Sequence, residues 1–154
     1  MREAERRTIF RLLSDSPADG VYPQETEKNF AEGWDMMTFA VTDDNRDRME
    51  DFIHSLFSNF PGSVLYVYTN PMDMLDCLRD HQVNAVFVEA VMEDVEGIRI
   101  LVELRERTEE LPVFILADND EYEDDAIWND ATGYLIRPIS GEELRNAVGG
   151  IEGS

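Results

Sequence analysis

Lysine is almost absent from this chain: of thirteen basic residues only Lys28 is a lysine, and those thirteen face thirty-four acids for a net charge of −21. Such a surplus repels polyanions, which argues against nucleic-acid or anionic-membrane binding by this domain. Cysteine is just as scarce. With Cys77 alone there is no internal disulfide, and a cytoplasmic setting is the expectation; Cys77 itself reads as a small half-buried residue without a role. No run approaches the roughly 18 apolar residues that span a bilayer, and the first residues carry no signal-peptide core. Only His54 and His81 are present, and both fall within or at the end of helical segments. Ser–His–Asp order, zinc-type Cys/His spacing and a P-loop are all missing, so the expectation is that the chain is not an enzyme. Against these absences stands a hydrophobic content of 43% in 154 residues, enough for one domain with a real core and too much for wholesale disorder.

The chain reads as two parts. Residues 1–37 mix an amphipathic piece, Arg2 to Leu13 with apolar Ile9, Phe10, Leu12 and Leu13, with the turn-forming stretch SDSPADG. This part reads as an N-terminal extension or linker whose helix could dock on the domain or on a partner. Residues 38–154 read as the domain. There FAV (Phe39–Val41), VLYVY (Val64–Tyr68), AVFV (Ala85–Val88), VFIL (Val113–Leu116) and YLI (Tyr134–Ile136) are short continuous apolar runs, as expected of strands buried on both faces of a parallel sheet.

Helical spacing fills the intervals. Met49, Phe52, Ile53, Leu56 and Phe57 recur at i, i+3, i+4, i+7 and i+8 and stop at Pro61-Gly62. Asn70-Pro71 is a cap followed by proline at the first helical position, ahead of Met74, Leu75 and Leu78. Ile98, Leu101, Val102 and Leu104 mark a third helix, Glu123 to Ala131 a short fourth, and Ser140 with Glu143 a capping box opening the last, with Leu144, Ala147 and Val148. The tail GGIEGS reads like the start of a flexible linker, as in a module cut from a larger protein. Five β-α units predict an α/β fold with a doubly wound five-stranded parallel sheet, in which chemistry sits beyond the C-terminal ends of the strands.

At those ends stand Asp43 and Asp44, then Glu89 with Gly97 eight residues later, then Ala117 and Asp118, then Arg137 and Pro138. Each alone has an ordinary explanation. An Asp pair before a helix is usually a cap, and Asp44 with Asp47 fits one; a glutamate ending a strand is usually solvated, and Arg-Pro is usually a turn. Together they fit less well, because neighbouring carboxylates repel and need a raised pKa, a cation or an arginine among them. Arg137 offers that partner, and a divalent cation is the other option.

These landmarks, in this order, make residues 37–149 resemble the receiver domain of response regulators, the CheY-like, flavodoxin-like (βα)5 family of two-component phosphorelays. The resemblance implies that Asp43 and Asp44 match an acidic pair that holds Mg²⁺ and that Glu89 stands where the family keeps its phosphoacceptor aspartate. Ala117 matches a Thr/Ser switch position, Tyr134 the aromatic that responds with it, and Arg137 with Pro138 a lysine before a cis-proline. On that carry-over Asp43, Asp44 and Glu89 could hold a divalent ion weakly. No cofactor is required, and Mg is the one to test.

Three of these positions depart from the family pattern. Glutamate reaches about 1.5 Å further than aspartate, one C–C bond, and a displacement of that size commonly costs on the order of a hundredfold in a positioned reaction. Ala117 removes the hydroxyl that would bind a phosphoryl oxygen. Arg137 stays cationic, and its planar fork suits a bidentate pair with a carboxylate better than lysine would. The expectation is therefore a standing Glu89–Arg137 ion pair in a phosphorylation-independent pseudo-receiver, acting through protein–protein interaction.

Other readings are a phosphorylatable or Mg-responsive regulator despite the substitutions, and a structural dimerisation or docking module of a larger protein. An FMN site shares the fold class, but TDDNRD is acidic where a phosphate loop would be rich in Ser, Thr and Gly. A protein partner or a homodimer is expected through the face formed by the fourth helix, the fifth apolar run and the fifth helix. That face starts with the acidic run DNDEYEDD (Asp118 to Asp125), usually a solvated loop but also suited to a basic partner, with Trp128 beside it.

Overall fold

The computed structural model describes residues 20–23 and 37–152. In chain order these form β1 (Gly20–Pro23), β2 (Thr38–Thr42), α1 (Arg46–Asn59), β3 (Val64–Tyr68), α2 (Pro71–Asp80), β4 (Ala85–Glu89), α3 (Gly97–Arg107), β5 (Val113–Ala117), α4 (Glu123–Trp128), β6 (Gly133–Ile136) and α5 (Gly141–Glu152). The five apolar runs become β2 to β6, each within one residue of its expected bounds. The amphipathic piece from Arg2 to Leu13 lies outside the described residues. The chain divides into two compact units, with the break between Val83 and Asn84.

In the first unit β2 pairs in parallel with β3, placing Phe39 opposite Leu65 and Val41 opposite Val67. On the other edge of β3 runs β1, antiparallel, from Gly20 opposite Val67 to Pro23 opposite Val64. The sequence does not announce β1: it is four residues ending in proline, a residue that sheets accept only at an edge or a strand end. Helix α1 buries Met49, Phe52, Ile53 and Leu56, and Phe60 after it meets the Phe39 ring edge-on at 5.5 Å. The chain then turns through Gly62, whose φ of 92° is open to glycine and costly for other residues. The cap of α1 is Asn45, which accepts from the Arg48 amide at 2.9 Å. The Asp44–Asp47 cap is thus displaced by one residue, leaving Asp43 and Asp44 outside the helix. Helix α2 opens as expected: the Asn70 side chain accepts from Met72 N–H, with Pro71 at the first position.

In the second unit β4, β5 and β6 pair in parallel in that order. Every residue of β4 and β5 is buried, as continuous apolar runs require. Phe87 stacks on Phe114 at 5.3 Å in register across the two strands. The next position in that row is Gly133, where a Cβ would meet the Phe114 ring at 2.8 Å, so the row closes only with glycine. Helix α3 buries Gly97, Ile100, Leu101 and Leu104. The expected stripe began at Ile98; the actual one begins at Gly97, and Ile98 and Val102 turn to its flanks, half-buried. Arg105 ties the far end of α3 to the loops around it, donating to the carbonyls of Asp130 at 2.8 Å and Leu111 at 2.7 Å.

The capping box of α5 is present in both directions, Glu143 N–H to Ser140 Oγ and Ser140 N–H to Glu143 Oε1, each at 3.0 Å. Helix α5 also corrects the linker reading of the tail. It runs through Gly149 and Gly150 to Glu152, because Ile151 extends the stripe of fully buried Leu144 and Val148.

Candidate functional site

Each unit carries candidate site residues at its own strand ends. In the second, Glu89 is the last residue of β4 and only 1% exposed. An ionised carboxylate at that depth needs a partner. Arg137 supplies it from just beyond β6, Nη1 donating to Oε1 at 2.9 Å and Nη2 to Oε2 at 2.8 Å. Its third nitrogen, Nε, donates to Asp118 Oδ1 at 2.8 Å. One guanidinium thus serves a buried and an exposed carboxylate at once. Burial works against the charge on Arg137, but hydrogen bonds to Glu89 and Asp118, with their Coulombic attraction, outweigh it and raise its pKa above the ordinary arginine value.

The scaffold that holds this clasp is backbone. β5 lies between β4 and β6, and its terminal Ala117, 1% exposed, accepts from Arg137 N–H through its carbonyl at 2.8 Å. Ala90 N–H, following Glu89, donates to the Leu116 carbonyl at 2.8 Å. Gly97 sits so close to Glu89 that a Cβ there would stand 2.2 Å from the Glu89 carbonyl oxygen. That explains the glycine eight residues after Glu89: the chain must return under the strand end to start α3. The Arg137–Pro138 peptide is cis, and Pro138 is exposed.

Tyr134 is tied to the loop after β5. Its hydroxyl donates to the Asn119 carbonyl at 2.7 Å and accepts from Tyr122 N–H at 3.2 Å. Burial raises its pKa, the bond from Tyr122 lowers it, and Glu123 and Asp120 nearby raise it further, for a net increase.

In the first unit Asp43 follows β2 and is 2% exposed, while Asp44 is exposed. Sequence reasoning missed the residue that completes this group. Arg48, in the first turn of α1, donates from Nε to Asp43 Oδ2 and from Nη2 to Asp43 Oδ1, both at 2.7 Å. The Asn45 amide adds a bond to Oδ1 at 3.0 Å, and Arg48 Nη2 lies 3.9 Å from Asp44 Oδ1. Two acidic strand ends are therefore each clasped by an arginine.

That arrangement bears on the divalent ion expected at Asp43, Asp44 and Glu89, taken carboxylate by carboxylate. Hard cations bind carboxylate oxygens, and both oxygens of Asp43 and of Glu89 already accept from a guanidinium whose positive charge would repel an incoming cation. Among the described residues no group of three His, Cys, Asp or Glu side chains is arranged to hold a metal ion. The donor set as it stands does not fit Mg²⁺. None of the helices among the described residues is long and apolar enough to cross a membrane.

Comparison with known proteins places this geometry in a family. The family model of the response regulator receiver domain matches residues 39–149. The response regulator MprA of Mycobacterium sp. (strain KMS) is 27% identical over 106 residues, covering 68% of this chain and 45% of that protein. The chain thus spans about half the length of the curated relatives it matches. Among solved structures, a receiver domain protein from Clostridium thermocellum superposes with a TM-score of 0.67 at 21% identity, covering 75% of this chain and 94% of that one. The response regulator TrrA of Thermotoga maritima, solved in complex with Mg²⁺ and BeF, gives 0.68 at 19% identity over 75% and 99%. At such identities the likeness shows the fold: a doubly wound, five-stranded parallel, flavodoxin-like receiver architecture, to which this chain adds the antiparallel β1.

Proposed function

The chain belongs to the response regulator receiver domain family of two-component signalling, and from that premise we propose that it is a receiver that signals without phosphoryl transfer, through contact with a protein partner. Receiver domains are in general non-enzymatic signalling modules that interact with proteins such as kinases or effector domains, and this reading assigns the chain no catalytic residue. Residues 38–154 form the receiver-like domain and residues 1–37 its extension, in the cytoplasm.

One observation carries the reading: both carboxylate oxygens of Glu89, a residue 1% exposed at the phosphoacceptor position, are held by Arg137 in a bidentate clasp. A nucleophile must present an oxygen in line with its phosphodonor. Here either oxygen would first have to break a charge-assisted hydrogen bond of the strong class. Ala117 at the switch position has no hydroxyl to receive a phosphoryl oxygen, so the coupling that the family routes to the Tyr134 position has no starting point. Asp43 and Asp44 keep the acidic pair as electrostatic structure, and Arg137 with Pro138 keeps the basic landmark as a counter-ion. The longer carboxylate mimics a phosphorylated aspartate only in part, since a phosphoryl group brings more charge and three acceptor oxygens.

The interaction surface in this reading is the face made by α4, β6 and α5, open to a partner protein or a second copy. In support, α4 leaves Ile127 63% and Trp128 85% exposed, which is unusual for an aromatic on a short helix. On the β6–α5 side, away from α4, an open groove of about 720 Å³ runs between Glu110 and Phe114 and Tyr134, Leu135, Ala147 and Ile151.

Incubation with acetyl phosphate, and separately with beryllofluoride, in the presence of Mg²⁺ tests the first half. The intact mass and the tryptophan fluorescence are expected to stay unchanged. A stoichiometric, Mg²⁺-dependent adduct would overturn the phosphorylation-independent reading.

A further inference from the structure

Asp43 carries a negative charge at 2% exposure, and a carboxylate at that depth is stable only with a cation against it. In a protein that takes a divalent ion at such a pocket, the carboxylate oxygens face the space the ion fills. Here they face Arg48. The segment Asp43-Asp44-Asn45-Arg46-Asp47-Arg48 explains why: Asn45 caps α1, so Arg48 falls in the first helical turn, back over the end of β2. Its guanidinium meets Asp43 side-on through Nε and Nη2, at 2.7 Å each, and Nη2 is also 3.9 Å from Asp44. With the Asn45 amide, Asp43 accepts three hydrogen bonds. A divalent ion would have to evict a bidentate pair and then sit beside the evicted positive charge.

We propose that Arg48 is the resident cation of this pocket: its guanidinium fills the place between Asp43 and Asp44 that a divalent ion would take, and so closes the pocket to Mg²⁺. The claim concerns the acidic pair alone and goes beyond the reading of Glu89. It also makes Arg48 a lock. With the arginine gone, Asp43 is left buried without its counter-ion, and a divalent ion becomes the obvious replacement.

The experiment is a titration of the full chain with Mn²⁺ and with Mg²⁺, at ionic strength held constant with NaCl, read by Mn²⁺ paramagnetic resonance and by thermal unfolding. The wild type is expected to show no saturable Mn²⁺ binding and no Mg²⁺-specific shift of its midpoint. Arg48→Met is expected to unfold at lower temperature without metal. It should then gain about 4 °C at Mg²⁺ near ten times its Kd, the shift expected for a ligand that binds only the folded chain. Arg48→Lys keeps a cation in reach and is expected to stay closed to metal. Saturable Mn²⁺ binding to the wild type overturns the proposal, as does a folded Arg48→Met that binds no metal. Should Arg48→Met fail to fold, Arg48→Gln, which retains a polar side chain, is read by the same criteria, and the wild-type titration decides independently. A phosphoryl adduct on Glu89 that forms equally with and without Mg²⁺ would sink the earlier reading and leave this one standing, a Mg²⁺-dependent adduct would sink both, and Mn²⁺ binding by an unphosphorylatable wild type would sink this one alone.

Discussion

The two units of this chain meet the same electrostatic problem at a strand end, and they meet it across different lengths of chain. At the end of β2, Asp43 is neutralised by Arg48 five positions away; at the end of β4, Glu89 is neutralised by Arg137, forty-eight positions away. Closing the longer span costs about 2 kcal/mol more chain entropy on a simple loop-length estimate. The near clasp needs only one strand and the first turn of one helix. The far clasp needs β4, β5 and β6 aligned, because Arg137 is placed by its backbone bond to Ala117. The geometry differs too. Arg48 spends Nε on Asp43, whereas Arg137 uses both terminal nitrogens on Glu89 and keeps Nε for Asp118. A local clasp secures a helix start, and a long-range one reports that the sheet is assembled.

Removing each arginine should separate the two. Arg137→Ala removes both guanidinium hydrogen bonds from buried Glu89 and should cost about 3–5 kcal/mol, read as a lower urea midpoint with an unchanged m-value. Arg48→Ala should cost about 2–3 kcal/mol in the same assay, because Asp43 keeps its bond from the Asn45 amide. If the two losses proved equal, the weight given to the Asn45 amide bond would be wrong. Gly97→Ala attacks the far clasp from beneath without touching a charge. A Cβ 2.2 Å from the Glu89 carbonyl oxygen must displace backbone, at about 2 kcal/mol. Crystallographic comparison should show the end of β4 shifted and the end of β2 unmoved.

The smallest effect should come from Tyr134→Phe, which removes one donated and one accepted hydrogen bond at the loop after β5, for about 1 kcal/mol. Its sign with pH follows from the raised pKa of Tyr134, due chiefly to burial. A phenol that holds its proton more tightly when folded stabilises the fold fully below its ordinary value of about 10 and loses that stabilisation as pH rises through the higher folded value. Spectrophotometric titration should therefore show the late-titrating absorbance of the wild type reduced by one phenol in the variant.

Much of this was legible in the residues. Continuous apolar runs located β2 to β6, and the far clasp could be anticipated because Glu89 and Arg137 stand at strand ends that the fold brings together. The near clasp could not, although its residues are adjacent in sequence. TDDNRD reads as a charged helix start, and the i+5 spacing of Asp43 and Arg48 spans a strand end and a cap rather than one helix face, so no helical pairing rule points to it. Asp118 was legible as a strand-end residue, but nothing in the sequence says which of the six acids in its run an arginine will choose. β1 was hidden for a different reason: four residues ending in proline carry no alternation to read. The rotation of α3 escaped because the first residue of its buried stripe is Gly97, which a hydrophobic pattern does not count.

Both clasps are guanidinium clasps in a chain whose single lysine is Lys28. Acylation, the common covalent way of erasing a positive charge, acts on amines, so it finds nothing to neutralise at either strand end. Neither can the clasps let go by deprotonation, since arginine holds its proton across the whole physiological range and Arg137 more tightly still. What could loosen them is competition: a partner presenting its own anions to Arg48 or Arg137, or its own guanidinium groups to Asp43 or Glu89. Regulation of this domain, at these two points, would have to arrive as another molecule.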